Sequence, residues 1–182
     1  MLLVSVLALA LAGCDAIRAQ RPGSLDVRSA RLVGGGGVAA LELGLDCRLS
    51  GPAQDALEHG IPITLQVDLA AGRWPRAQTQ TRRVELRYFP LSRRYQMRET
   101  GSDETGGTEP RSFATPAYLF AALGALRFDL PSEFAGLPPA TPLRVTARLD
   151  PAALPGPLRL PALFEPAWRL ASPEYAWTLA AH

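Results

Sequence analysis

The chain has 182 residues, of which 47% are apolar and 20% charged, enough to bury one sizeable core and too apolar for intrinsic disorder. Its 17 prolines and 16 glycines demand short, frequently interrupted elements. All 19 basic residues are arginine, against 17 acids and two histidines, which excludes Schiff-base lysine chemistry, a P-loop lysine and a lysine general base.

Leu2 to Ala12 is an unbroken run of apolar and small residues. It is shorter than the about 20 residues a spanning helix needs, and has the length of a signal-peptide h-region. The run ends in Leu11-Ala12-Gly13-Cys14, which resembles the lipobox of bacterial lipoproteins. That resemblance implies cleavage before Cys14, with 1–13 as signal peptide, diacylglycerol on the Cys14 thiol and 14–23 as a lipidated linker. The alternatives are an ordinary cut after Ala10-Leu11-Ala12, which leaves Cys14 a thiol near the start, and an uncleaved hydrophobic anchor. Asp15 resembles the inner-membrane retention signal of enteric lipoproteins, and the choice of inner or outer membrane stays open.

One domain is expected over 24–182. Leu25 to Val33 reads as a strand, Gly34 to Gly37 as a turn, and the following strand as its antiparallel partner. In that partner Ala39, Leu41, Leu43, Leu45, Cys47 and Leu49 alternate with more polar or small residues, so Cys47 belongs to a buried face, where an apolar setting suppresses the thiolate. The four glycines do not cradle a phosphate, because no GK[ST] follows and the next element is a strand.

Pro52 to His59 reads as a short helix, capped by Ser50 or Gly51 and stopped at Gly60. Strands are expected at Ile61 to Leu69, Arg82 to Phe89 and Leu91 to Met97, the last two joined by a bend at Pro90. The stretch from Thr100 to Pro110 has no hydrophobic residue and reads as a solvated loop. Thr115-Pro116 opens a second helix with Tyr118, Leu119, Ala122, Leu123 and Leu126 at helical spacing. Leu126 to Leu130, Leu143 to Leu149 and Tyr175 to Leu179 complete the strands, separated by Pro-rich connections that include 151–161. Seven to nine strands at this spacing predict a mainly β protein, an antiparallel β-sandwich of immunoglobulin-like architecture with one or two short accessory helices.

His59 is the one internal histidine and sits where a helix end offers it carbonyls. No G-x-S-x-G elbow, Cys-x-x-Cys or His-x-x-x-His spacing occurs, so neither a catalytic residue, a cofactor nor a metal ligand is assigned. The carboxylates Glu42, Asp46, Asp68 and Glu85 fall on polar strand faces. The arginines are the feature with binding content. Arg73, Arg76, Arg82, Arg83, Arg87, Arg93, Arg94 and Arg98 lie within 26 residues, and Glu85 is the only acid among them. Alternation puts Arg83 and Arg87 on one outward face and Arg94 and Arg98 on the next strand. The binding reading is contact with anionic lipid or an acidic envelope partner; the other is ordinary solubility, with salt bridges to Glu85 and its neighbours. Export takes nucleic acid away as a partner.

The segments Leu57-Glu58-His59-Gly60-Ile61-Pro62-Ile63, Arg73-Trp74, Leu86-Arg87-Tyr88-Phe89-Pro90-Leu91-Ser92-Arg93-Arg94-Tyr95, Leu154-Pro155-Gly156-Pro157-Leu158-Arg159 and Trp168-Arg169-Leu170-Ala171-Ser172 resemble a proteobacterial family of short exported proteins, domain of unknown function 4390, also labelled proline-rich signal peptide proteins. The similarity spans essentially the whole mature chain. It implies export to the cell envelope, with genes near those of two-component sensor kinases, and transfers no catalytic residue. The expected protein is therefore a lipid-anchored, non-enzymatic module on the periplasmic side of an envelope, acting in binding, assembly or signalling support. A small periplasmic hydrolase and a purely structural envelope protein are the alternatives.

Overall fold

The computed structural model describes residues 22–35, 37–73, 75–100 and 109–180. The signal segment, Cys14, the linker up to residue 21, Trp74, loop positions 101–108 and His182 lie outside the described residues.

The first two strands, β1 (Ser24–Gly35) and β2 (Val38–Arg48), form the antiparallel hairpin that the glycine run predicts, with Gly37 at φ +90°. The inner face of β2 is the expected one, since Leu41, Leu43, Leu45 and Cys47 are all buried. β1 carries a bulge between Val27 and Ser29. Leu25 and Val27 therefore face inward before it and Ala30 and Leu32 after it, a one-residue change of phase that the extra Arg28 absorbs.

Helix α1 (Gly51–Glu58) follows, with Ser50 as its cap: the hydroxyl accepts from the Ala53 amide at 3.4 Å and Pro52 occupies the first turn. It ends in a Schellman motif, in which Gly60 at φ +82° donates to the Leu57 carbonyl and Ile61 to that of Ala56. Next come β3 (Ile63–Ala71), β4 (Gln78–Phe89), β5 (Arg94–Thr100) and the three-residue β6 (Arg111–Phe113). Helix α2 (Pro116–Ala122), capped by Thr115, leads through a 3-10 turn into β7 (Leu126–Leu130). β8 (Pro142–Leu149), α3 (Gly156–Phe164) and β9 (Tyr175–Thr178) finish the chain.

The strands divide into two antiparallel sheets, β1-β2-β7 and β6-β5-β4-β3-β8-β9. Their inner faces share one core, built by Leu41, Leu43, Leu126 and Phe128 from the smaller sheet and Ile63, Leu65, Val67, Val84, Leu86, Leu143 and Val145 from the larger. β1 passes close to β8 and β9, which closes one side of the sandwich. The mainly β sandwich is thus as expected, with three α-helices among the described residues rather than one or two.

Three local expectations change. Pro90 to Arg93 is a tight turn with Arg93 at φ +52°, so the strand expected from Leu91 begins at Arg94 and Leu91 stands fully in solvent. Tyr118 is exposed, lying to the side of the buried row formed by Leu119, Ala122 and Leu123. The Pro-rich stretch 151–161 is a 3-10 turn followed by α3, with Pro161 inside the helix. Proline removes one N–H from the helical ladder, and the helix is held instead by Leu154, Leu158 and Ala162 packed on the core.

Leu41 is fully buried and Val38, at the hairpin turn, is 63% exposed. Leu41→Ala should cost about 2–5 kcal/mol in denaturant unfolding, whereas Val38→Ala should stay within about 0.5 kcal/mol. Similar losses for the two would contradict the placement of the core.

Candidate functional site

Alternation along β4 fixes the arginine face. Val84, Leu86 and Tyr88 turn into the core, so Arg83, Glu85, Arg87 and Phe89 turn out. On β5, Tyr95 and Met97 turn in and Arg94, Gln96, Arg98 and Thr100 turn out. The register then sets Arg83 beside Thr100, Glu85 beside Arg98, Arg87 beside Gln96 and Phe89 beside Arg94. All four arginines singled out from the sequence share this outer face. Arg83, Arg87 and Arg98 surround Glu85, while Arg94 lies four residues along β5, about 13 Å from Arg98 at the usual rise per residue.

The face is only partly a positive field. Arg83 Nε lies 3.7 Å from Asp150 Oδ2, a carboxylate that also caps the 3-10 turn at Pro151–Ala153 by accepting from the Ala152 amide. The Arg87 guanidinium sits over the Phe89 ring, 5.1 Å from its centre, an arrangement that holds a cation without neutralising it. Thr64, Arg83, Glu85, Arg98, Thr100 and Asp150 line an open hollow of about 540 Å³ on this face. Its polar walls and opposed charges suit an ionic or hydrogen-bonding partner better than an apolar one.

The other residues considered from sequence are dispersed. His59 caps α1, its Nδ1 lying 2.6 Å from the Asp55 carbonyl oxygen, a contact that needs the proton on that nitrogen. Asp46 pairs with Arg28 across the bulge, and Asp68 accepts from Thr81 at 2.7 Å and faces Arg148 at 3.5 Å. Glu42 is held between Arg31 and Arg127, the latter at 2.8 Å, and the hydrogen bond from Arg31 pulls its carboxyl below the ordinary value. Each of these three carboxylates pairs with an arginine. Among the described residues no group of three or more His, Cys, Asp or Glu could hold a metal ion, and no helix is long and apolar enough to cross a membrane.

Among the described residues, two charged side chains face the interior. Arg82 is in phase with Val84 and Leu86; its guanidinium donates to the Asp129 carbonyl of β7, tying the two sheets together, and its Nε is buried with no hydrogen-bond partner. Glu99, in phase with Met97, is half-buried; burial pushes its carboxyl up and Arg111 pulls it back. Both are legible in the alternation, Arg82 being in phase with Val84 and Leu86 and Glu99 with Met97.

Cys47 is buried, and burial pushes its thiol up to about 12. The unfolded thiol ionises near 8.5, so from there up to about 12 the unfolded chain loses a proton that the folded chain keeps, and stability falls as pH rises. Cys47→Ala should remove that component of the alkaline decline in denaturation curves measured between about pH 8 and 11. Native Cys47 should also react slowly with a thiol reagent and rapidly once unfolded; fast native labelling would overturn the register of β2.

The family model described as domain of unknown function (DUF4390) matches residues 23–178. No curated protein and no solved structure matches the chain.

Proposed function

The chain belongs to the DUF4390 family, and from that premise we propose that it is an exported envelope lipoprotein, held to a bacterial membrane through Cys14, that works without catalysis as a periplasmic binding, assembly or signalling-support module. The observation that carries the proposal is the outward face of the six-stranded sheet, where Arg83, Arg87, Arg94 and Arg98 stand on two neighbouring strands. A rigid sheet fixes their spacing, so an anionic lipid surface or an acidic envelope protein meets a preformed array. Export is supported by the apolar run Leu2 to Ala12 and anchoring by Leu11-Ala12-Gly13-Cys14.

The hydrolase alternative needs convergent polar groups with a base in reach of a nucleophile. His59 instead has its ring engaged by the Asp55 carbonyl, and Glu42, Asp46 and Asp68 are each engaged by arginine. These engagements favour the docking module.

Cys14→Ser should abolish fatty-acid labelling of the protein and move it from the membrane to the soluble fraction; full membrane retention would defeat lipidation as the anchor. For the sheet face, an arginine near an anionic surface is worth about 1 kcal/mol, so replacing Arg83, Arg87, Arg94 and Arg98 with Gln should weaken co-sedimentation with phosphatidylglycerol vesicles by roughly tenfold or more at low salt, even after Glu85 and Asp150 offset part of the charge. The melting temperature should change little. A stability loss with no separate binding defect would reassign the four to ion pairing within the fold.

A further inference from the structure

Helix α3 turns Leu158 and Ala162 toward the core and presents Leu160, Leu163 and Phe164 to solvent at 68%, 55% and 74% exposure. These three are spaced i, i+3, i+4, so they form one continuous apolar stripe on the helix surface. Scattered exposed leucines are ordinary, but an apolar stripe ending in phenylalanine on a helix with its opposite side already buried is an unpartnered face. Arg159 and Arg169 flank it. Arg159 Nε donates to the Leu154 carbonyl at 2.6 Å, and Arg169 Nη2 reaches the Leu163 and Phe164 carbonyls at 3.4 and 3.5 Å, fixing the helix end. Glu165 is the one acid next to the stripe.

The path of the chain says what covers this stripe. Gly23 packs against Leu170, so close that an added Cβ would lie 2.9 Å from Leu170 Cδ2. Leu170 directly follows Arg169, and the 3-10 turn Pro166–Trp168 packs on α3. The N-terminal segment thus joins the domain at the end where the stripe lies. The nine residues from Cys14 to Pro22 span at most about 30 Å. A membrane holding Cys14 is therefore always within reach of this end, and tethering raises the effective concentration of bilayer there far above that of a free surface.

We propose that α3 is an interfacial helix: Leu160, Leu163 and Phe164 insert at the headgroup–acyl boundary of the bilayer that holds the N-terminal anchor, with Arg159 and Arg169 at the level of anionic headgroups. This rests on the lipid-anchor reading and deepens it by giving the domain a second membrane contact and hence an orientation. A short apolar helix alone binds a bilayer weakly, and lipid chains alone leave the domain free to turn; the two together hold it in one pose. The 3-10 turn Pro151–Ala153, which rims the arginine hollow through Ala152 and Ala153, also packs on α3. The arginine face is thereby held beside the membrane.

The test uses the full chain with an environment-sensitive NBD fluorophore on Leu163→Cys, compared with Val38→Cys. Val38 is an equally exposed apolar site at the other end of the β1–β2 hairpin, about 35 Å from Ser24 along the strand. Cys47 is buried and contributes no native label. On vesicles of phosphatidylethanolamine with about one quarter phosphatidylglycerol, the Leu163 probe should brighten roughly threefold and be quenched by doxyl-labelled lipid, while the Val38 probe stays near its value in buffer. Equal responses, or none at Leu163, overturn the proposal. So does a Leu163 probe already bright without vesicles, which indicates a second copy of the chain, or one that responds only in native membranes, which indicates a protein partner. Replacing phosphatidylglycerol with phosphatidylcholine should lower the response; an undiminished response overturns the role given to Arg159 and Arg169. Label on Cys14 would be common to both variants, and fatty-acid labelling tests the anchor separately, so the two readings fail independently.

Discussion

The burial of alternate side chains along β3 and β4 is the constraint on which the other features rest. Ile63, Leu65, Val67 and Leu69 leave no exposed area worth the name, and Val84 and Leu86 on the neighbouring strand are equally enclosed. With a side-chain period of two, that decision about the inside is also a decision about the outside: Arg83, Glu85 and Arg87 have only one direction left. A slip of one residue would put three charges into the core and three apolar side chains into water, at a cost far beyond the net stability of a domain this size. The arginine array therefore needs no stabilisation of its own.

The places where charge does enter the interior mark the limits of the sandwich. Arg82 and Glu99 sit on core-facing phases of β4 and β5, near Asp129 of the smaller sheet, and each is only partly buried. Arg82 uses its length to reach the Asp129 carbonyl on the opposite sheet, so its stem covers apolar surface while its head ties the sheets. The two layers are thus joined by packing in the middle and by a polar strut at this edge.

Much of this was written in local sequence signals. The caps of α1 and α2, the glycine after α1 and the period-two faces of β2, β3 and β4 are short-range features, and short-range features survive into the fold. The bulge in β1 was also visible, as the phase change between Leu25, Val27 and Ala30, Leu32, but a single strand read alone gives no reason to count phase. The bend at Pro90 is legible, but its extension through Arg93 is masked because Leu91 is in phase with Tyr95 and Met97. α3 was hidden because its prolines outweigh its helical spacing until the packing of Leu154, Leu158 and Ala162 is known. The return of β7 to β2 depends on contacts about 85 residues apart in the chain, which no window of sequence contains. At the site, alternation put the arginines on one face, whereas the pairing of Arg83 with Asp150 and the stacking of Arg87 on Phe89 required the neighbouring elements in place.

The strand lengths carry one further consequence. The six-stranded sheet keeps its long strands inside and ends in β6 and β9, of three and four residues. On the smaller sheet the long outer strand β1 is interrupted by its bulge, with a charged side chain at the break. A neighbouring molecule therefore finds brief rows of free amides and carbonyls at the ends of the larger sheet and an interrupted row along β1, poorer templates for a continuing ladder than long flat edges. Copies gathered at high local density can touch through their side chains without their sheets fusing into a fibre.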